Sequence, residues 1–271
     1  MKKFGLLGYP LTHSFSQKYF TEKFLREGIG GCVYENFSLP AVDMLRTVLD
    51  DPELCGLNVT IPYKEQVIPF LHSKSGVVAE IGACNCIRIS EGRLLGYNTD
   101  TTGFERSVIK KLQPWHTRAL ILGTGGAAKA VEYVMKKLGI HYRYVSRKPR
   151  AGGDAGVKSG AGDADVRAAD LRAADLSYEQ VNEAILADYT LIINTTPLGM
   201  SPRIDECPPL LYEALTHRHY LYDLVYNPSK TLFLQKGEER GAAVENGYEM
   251  LIIQAEESWR IWNTPQDQGR G

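Results

Sequence analysis

A glycine-rich loop in the middle of the chain, Gly123-Thr124-Gly125-Gly126-Ala127-Ala128-Lys129-Ala130, constrains the fold more than any other feature. It follows an apolar run over 118–122 that predicts a buried strand, and it opens a helical pattern over 127–138. Strand, glycine turn and helix in this order form the context that a dinucleotide site requires. Small residues let the backbone approach a pyrophosphate, and free N–H groups at the helix start attract its charge. The candidate cofactor-binding residues of this loop are Gly123, Gly125, Gly126 and Ala127.

The loop divides an alternation of strand and helix patterns into two runs, which predicts an α/β fold with two α/β domains joined near residue 100. The first run predicts a largely parallel sheet with strands over 2–8, 33–39 and 55–59, helices over 17–26, 42–49 and 63–71, and a hairpin pairing 83–89 with 94–97. The second predicts helices over 102–112 and 127–138 and strands over 118–122, 142–145, 191–194 and 220–224. We expect domains at 1–100 and 101–228, with 229–271 packing back on the first through a last helix over 250–262. The Gly-, Ala- and Asp-rich segment 151–174 predicts a mobile loop or insertion.

Composition narrows the choice of partners. Of the 271 residues, 44% are apolar and 23% are charged, and the formal net charge is −1. This balance gives no reason to expect a nucleic acid or an anionic membrane as partner. No apolar run approaches the ~18 residues of a membrane span, and the start of the chain reads as a first strand rather than a signal peptide.

The cysteines and histidines predict no metal site. Five cysteines are an odd number, and their spacing fits neither a disulfide framework nor a zinc site. Cys84 and Cys86 alternate along a predicted strand, so we expect both thiols on one face, as reduced core residues of a cytoplasmic protein. His217 and His219 lack a third ligand, and we expect them on the solvated surface.

The end of the second strand after the loop indicates which dinucleotide is bound. An NAD site places an acidic residue there, on the ribose hydroxyls. This chain has Ser146, Arg147 and Lys148 instead. Because a guanidinium pairs well with the 2′-phosphate of NADP, NADP is favoured over NAD. The alternative is that both cations are ordinary solvated loop charges.

Polar clusters precede the loop, two of them at predicted carboxyl ends of strands, where open α/β sheets bind ligands. Taken singly, Ser16, Thr60 and Asp100 fit helix caps, and Lys64 fits a solvated lysine. Together the clusters supply hydroxyls, amides, one ammonium and one carboxylate, which suits a small polyhydroxylated ligand. They are His13-Ser14-Phe15-Ser16, Asn58-Val59-Thr60-Ile61-Pro62-Tyr63-Lys64, Asn85 and Tyr97-Asn98-Thr99-Asp100.

These clusters, in this order, resemble the shikimate dehydrogenase family over nearly the whole chain. The matching pieces are Gly8–Ser16, Asn58–Lys64, Gly82–Asn85, Gly96–Asp100, the glycine loop, Asn194–Met200, Tyr222–Pro228 and Met250-Leu251-Ile252-Ile253-Gln254-Ala255. The sequence departs from the usual pattern at Gln17, Cys86 and Glu249, and none of these departures removes a catalytic group.

The resemblance implies a substrate-binding domain, a Rossmann-like NADP domain and a returning C-terminal helix. It implies reversible reduction of 3-dehydroshikimate to shikimate, a step towards aromatic amino acids, by a cytoplasmic monomer or homodimer. Lys64 and Asp100 are then the catalytic pair, and Ser14 and Ser16 hold the substrate carboxylate. The ring hydroxyls and the rest of the substrate pocket fall to Asn58, Thr60, Asn85, Tyr226 and Gln254. The cofactor site adds Thr195, Met200, Leu224 and Gly247 to the loop and to Ser146, Arg147 and Lys148.

The residue types suit this chemistry. Hydride transfer to a ketone leaves an alkoxide, which a positioned ammonium stabilises and protonates. Two other functions stay open: a quinate/shikimate dehydrogenase that uses NAD, and a non-catalytic relative that senses the metabolite. A tetrahydrofolate-linked dehydrogenase shares the two-domain layout, but the serine-rich opening fits it poorly.

Overall fold

A computed structural model describes residues 1–11, 14–149 and 175–264. The chain forms two compact units, one made of Met1–Thr102 with the described residues from Ile253 onward, the other of Gly103–Ile252. Residues 229–252 therefore lie in the second unit. His13 and the predicted insertion 151–174 lie outside the described residues. In the described ranges no helix is both long and apolar enough to cross a bilayer.

The first unit is built on a mixed sheet with the strand order β2-β1-β3-β5-β6-β4. β1 pairs in parallel with β2 and β3, and the hairpin β5–β6 pairs antiparallel with β3 and within itself. The strands are β1 (Lys2–Gly8), β2 (Cys32–Ser38), β3 (Leu54–Val59), β4 (Ser73–Lys74), β5 (Cys86–Ser90) and β6 (Arg93–Tyr97). The helices are α1 (Phe15–Arg26), α2 (Leu45–Leu49), α3 (Gly76–Ile81) and the start of α4 (Asp100–Val108).

The predicted helix over 63–71 is wrong. The chain there forms successive turns and a short 3-10 helix, Ile68–Phe70. Pro69 has no N–H to donate and its ring clashes with the carbonyl four residues earlier, so a continuous helix cannot run through 63–71. β4 and α3 follow in a stretch where the sequence analysis predicted no element.

Alternate residues of the first sheet enter two separate apolar clusters. Leu7, Leu57 and Ile87 pack in one, and Phe4 and Leu6 in the other. Cys84 and Cys86 also divide between these clusters, so the prediction that their thiols share a face is wrong. The reason is that β5 begins only at Cys86, and the strand alternation does not extend back to Cys84.

The C-terminal helix α8 (Tyr248–Asn263) begins in the second unit and ends in the first. Trp262 anchors its end: the indole N–H donates to the Ile87 carbonyl at 3.0 Å, and the ring stacks on Phe4 with centroids 4.9 Å apart. The prediction that the last helix returns to the first domain is confirmed for its residues from Ile253 onward. Gly56 on β3 leaves the room for the ring, because a Cβ there would overlap the Trp262 indole.

The second unit is a parallel sheet with the order β11-β10-β9-β7-β8. Its apolar residues also alternate between two clusters, with Ala119 and Ile121 in one and Leu120 and Leu122 in the other. β7 lies between β8 and β9, so the strand order reverses beside the glycine loop, where doubly wound sheets bind ligands. Its elements are β7 (Arg118–Leu122), α5 (Gly126–Leu138), β8 (His141–Val145), α6 (Glu183–Asp188), β9 (Leu191–Asn194), β10 (Tyr220–Asp223), α7 (Leu232–Glu238) and β11 (Ala243–Glu245).

Gly56→Ala is expected to lower the free energy of unfolding by about 1–3 kcal/mol, because the added methyl displaces the Trp262 ring from its seat on β3. Urea denaturation followed by tryptophan fluorescence measures it. Gly76→Ala is the matched control, since nothing lies within 4 Å of a Cβ at the start of α3. Equal stability of the two variants would contradict the contact.

Candidate functional site

The ammonium of Lys64 and the carboxylate of Asp100 form an ion pair in the first unit, with Nζ and Oδ2 2.6 Å apart. The lysine lies in the turns after β3, where its carbonyl accepts the N–H of Cys84 at 2.7 Å. The aspartate is the first residue of α4. The side chains are 18% and 10% exposed, so Lys64 is not the solvated lysine of the alternative interpretation.

Asp100 does not cap its own helix; Asn98 does, accepting the N–H of Thr101 at 3.2 Å. The second oxygen of Asp100, Oδ1, accepts from the Asn85 amide nitrogen at 2.9 Å. The Asn85 oxygen in turn accepts the backbone N–H of Thr99 at 2.6 Å, which fixes which end of the amide faces the carboxylate. Each carboxylate oxygen of Asp100 thus has a donor within hydrogen-bond distance, which holds the group in one orientation.

An amide–hydroxyl network continues from Asn85 through the buried interior of the first unit. Asn85 donates to the Thr99 hydroxyl at 3.0 Å, which lies 3.2 Å from the Ser258 hydroxyl. Asn58 donates to Ser258 at 2.8 Å and accepts from the Tyr34 phenol at 2.9 Å. The same threonine hydroxyl is 3.4 Å from the Gln254 side-chain oxygen. We call Tyr34, Asn58, Asn85, Thr99 and Ser258 the amide–hydroxyl network.

Two predicted serines lie at the start of α1. Ser14, rather than Ser16, caps this helix by accepting the N–H of Gln17 at 3.1 Å. Ser16 is buried beside Tyr34. Burial raises the pKa of the Tyr34 phenol well above its ordinary value, and a hydrogen bond from Ser16 acts in the opposite direction. Thr60 follows β3, and its backbone N–H donates to the Leu7 carbonyl at 2.9 Å.

The glycine loop of the second unit has the geometry that the sequence predicts. Gly123 has a φ of +104°, and a Cβ there would lie 2.8 Å from the Thr195 hydroxyl. Gly125 is the N-cap of α5, with nothing within 4 Å of its Cβ position. The loop therefore offers the start of a 13-residue helix and an uncovered backbone, which fits a pyrophosphate.

β8 is followed directly by the predicted Ser146, Arg147 and Lys148, and both cations are exposed. Among the described residues the buried Ser146 hydroxyl has no hydrogen-bond partner. A buried hydroxyl without a partner in the described ranges, beside two exposed cations, is a donor set that fits the phosphorylated ribose of NADP.

The loops after β9 and β10 are joined by Asp223, which the sequence analysis did not single out. Its buried carboxylate accepts from the Asn194 amide at 2.9 Å, the Val225 N–H at 3.0 Å and the Thr231 hydroxyl at 2.6 Å. Asn194 in turn accepts from the Thr196 hydroxyl at 2.6 Å. Burial raises the pKa of Asp223 to about 6. The signal that could have identified Asp223 in the sequence is its position at the end of an apolar strand.

The other predicted residues of the second unit lie around these loops. Thr195 donates to the Leu122 carbonyl at 2.6 Å, and Met200 is exposed. Gly247 packs so closely on Leu224 that a Cβ would overlap the leucine carbonyl. Tyr226 is half-buried, and burial raises its pKa.

The structure also places Glu249 and His219, two residues discussed in the sequence analysis. The Glu249 carboxylate forms an ion pair with Lys110. The predicted solvated His219 is buried instead, with Nε2 2.9 Å from the Leu186 carbonyl and Nδ1 accepting the N–H of Thr216 at 3.0 Å. It is a satisfied core histidine.

Comparisons with known proteins agree with this arrangement. The family model of the shikimate dehydrogenase substrate binding domain matches residues 6–87. A shikimate dehydrogenase (NADP(+)) of Moorella thermoacetica is 38% identical, with 95% of this chain and 86% of that protein covered. The structure of shikimate 5-dehydrogenase from Thermus thermophilus with NADP(H) and shikimate matches with a TM-score of 0.79 at 28% identity, covering 97% of this chain and 94% of that one. Quinate dehydrogenase from Corynebacterium glutamicum in complex with NAD matches with a TM-score of 0.80 at 25% identity, covering 97% and 93%.

Asp223→Asn tests the carboxylate that joins the two loops. Because burial raises the folded pKa from 3.8 to about 6, the stability from this group is fully present below about pH 4 and is lost as the pH rises through 6. The free energy of unfolding of the native protein should therefore fall relative to the variant between pH 4 and 7, by up to about 3 kcal/mol. Urea denaturation across that range measures the difference, with exposed Asp205→Asn as the control. A difference that does not change with pH would contradict the assignment.

Proposed function

Because this chain belongs to the shikimate dehydrogenase family, we propose that it catalyses the reversible NADP-dependent reduction of 3-dehydroshikimate to shikimate. One observation carries the proposal for this chain: the ion pair of Lys64 and Asp100, oriented by Asn85. An ammonium that must give a proton to a developing alkoxide has to be held in place. Here Asp100 holds the Lys64 ammonium, and Asn85 holds the Asp100 carboxylate.

In this proposal Lys64 is the proton donor for the carbonyl oxygen of the substrate. Its Nζ proton moves to the alkoxide in reduction and returns from the hydroxyl in oxidation. Asp100 keeps the ammonium in position at 2.6 Å and balances its charge. Ser14 and Ser16 are assigned to the substrate carboxylate. The ring hydroxyls and the rest of the pocket are assigned to Asn58, Thr60, Asn85, Tyr226 and Gln254.

NADP supplies the hydride when it is bound. The residues that would hold its pyrophosphate are Gly123, Gly125, Gly126 and Ala127 at the start of α5. Ser146, Arg147 and Lys148 would hold the phosphorylated ribose. The loops that Asp223 joins carry Thr195, Met200 and Leu224, and Gly247 packs against Leu224; these four complete the assignment.

Oligomeric state and location are proposals of the same kind: a cytoplasmic monomer or homodimer. All five cysteines are free thiols, as expected in a reducing compartment. Light scattering of the purified protein and fractionation of the source cells test the two statements.

Lys64→Ala is expected to lower kcat by roughly 10²–10⁴-fold, because it removes the proton donor, while the KM for shikimate rises much less. Steady-state oxidation of shikimate with NADP⁺, followed at the absorbance of reduced nicotinamide, measures both. Lys74→Ala, an exposed lysine of the same unit, is the control and should match the native enzyme. Near-native turnover of Lys64→Ala would remove Lys64 from the catalytic role.

Arg147→Ala is expected to raise the KM for NADP⁺ by roughly tenfold or more and to leave the KM for NAD⁺ almost unchanged, since only NADP carries the 2′-phosphate. Arg240→Ala, another exposed arginine of the second unit, serves as the control. Parallel assays of shikimate or quinate with either cofactor separate the alternatives. Turnover of quinate with NAD⁺ would favour the quinate enzyme, and no turnover in any combination would favour the sensor.

A further inference from the structure

Ser258 occupies a central place in the amide–hydroxyl network, although no role follows for it from the sequence. Its side chain is fully buried on α8. The hydroxyl donates to the Gln254 carbonyl at 2.9 Å, accepts from the Asn58 amide at 2.8 Å and lies 3.2 Å from the Thr99 hydroxyl. A hydroxyl has one proton and two lone pairs, so three such neighbours are enough to use its full capacity.

The neighbours of Ser258 also determine how the Asn58 amide is turned. Tyr34 donates to the amide oxygen at 2.9 Å, so the amide nitrogen faces Ser258 and, at 3.5 Å, the Asn85 carbonyl. Flipping the amide would turn its oxygen towards two acceptors, the Asn85 carbonyl and a Ser258 hydroxyl whose proton is already donated to the Gln254 carbonyl. The orientation of Asn58 is therefore set on the Ser258 side, and the Tyr34 phenol completes it by donating to the amide oxygen.

We propose that Ser258, together with Tyr34, is a positioning residue that sets the amide of Asn58 in the orientation that binds the substrate hydroxyls. This rests on the proposed function, because Asn58 is assigned to the substrate there. Ser258 itself is completely buried, so it acts through Asn58. The inference also explains how α8 contributes to substrate binding beyond Gln254: one turn later, the helix fixes a side chain of β3.

The test compares Ser258→Ala in the native enzyme and in an Asn58→Ala background. Loss of the hydroxyl leaves a buried amide N–H without its acceptor, so the KM for shikimate should rise roughly tenfold or more, while the KM for NADP⁺ stays within about twofold. With Asn58 already truncated, the same substitution should raise the shikimate KM little, because the residue through which it acts is missing. A role in folding alone would not produce this dependence on Asn58.

Ser107→Ala is the matched control. Ser107 is also buried on a helix, donates to a carbonyl four residues earlier (Gly103, 2.8 Å) and lies 2.6 Å from the hydroxyl of Tyr222. It lies in the second unit, and its hydrogen bonds reach Gly103, Phe104 and Tyr222, none of which is assigned to the substrate. Its loss should lower stability without raising the shikimate KM. Tyr34→Phe removes the phenol at the other end of the amide and should also raise the shikimate KM, so the inference stays testable if Ser258→Ala does not fold.

Suppose that the native enzyme oxidises shikimate and that Ser258→Ala or Tyr34→Phe leaves the KM for shikimate unchanged. This result would overturn the inference and leave the proposed function standing. An equal rise in both Asn58 backgrounds, or in Ser107→Ala, would overturn it as well. A native enzyme inactive towards shikimate would instead count against the proposed function, and the inference would fall with it.

Discussion

The first unit depends on one constraint: polar side chains buried away from water must find partners among themselves. β3, the loop before α4, and α8 each contribute such a side chain, namely Asn58, Thr99 and Ser258. Their hydrogen bonds join parts of the chain as much as 200 residues apart. Because a partly satisfied buried network is unfavourable, these elements can meet in very few arrangements. The apolar clusters on either side of the sheet bring the elements together, and the network selects their register.

Each unit also has a buried carboxylate near the carboxyl ends of its strands, and the two carboxylates are balanced differently. Asp100 faces an ammonium, so opposite charges meet at a place assigned to proton transfer. Asp223 accepts hydrogen bonds from neutral donors, and burial raises its pKa to about 6. The charged partner of Asp100 is assigned to proton transfer, whereas the amide and hydroxyl partners of Asp223 connect two loops through hydrogen bonds. The same residue type therefore has two roles, which its neighbours decide.

The sequence predicted the elements whose periodicity is local, among them β7, α5 and β8 around the glycine loop. It failed where a few residues override the pattern: Pro69 interrupts the helix predicted over 63–71, and the late start of β5 separates the thiols of Cys84 and Cys86. The motifs also named Lys64, Asp100, Asn58 and Asn85. Thr99 lay inside one of these motifs but had no role of its own there. The motifs could not name Tyr34 and Ser258, because each is an ordinary residue of its element and matters only through partners distant in the chain.

The full use of the Ser258 hydroxyl limits how this protein can evolve. A substitution at Ser258 leaves the Asn58 N–H without its acceptor, and a substitution at Asn58 leaves the Tyr34 hydroxyl without its acceptor, so each single change lowers the stability of the folded protein. We therefore expect these positions to change together, so that a substitution at one is accompanied by compensating substitutions at the others. Lineages that diverged from this one should carry either the whole set or a different, internally consistent set. Three positions spread over most of the polypeptide, Tyr34, Asn58 and Ser258, would thus be inherited as though they were neighbours.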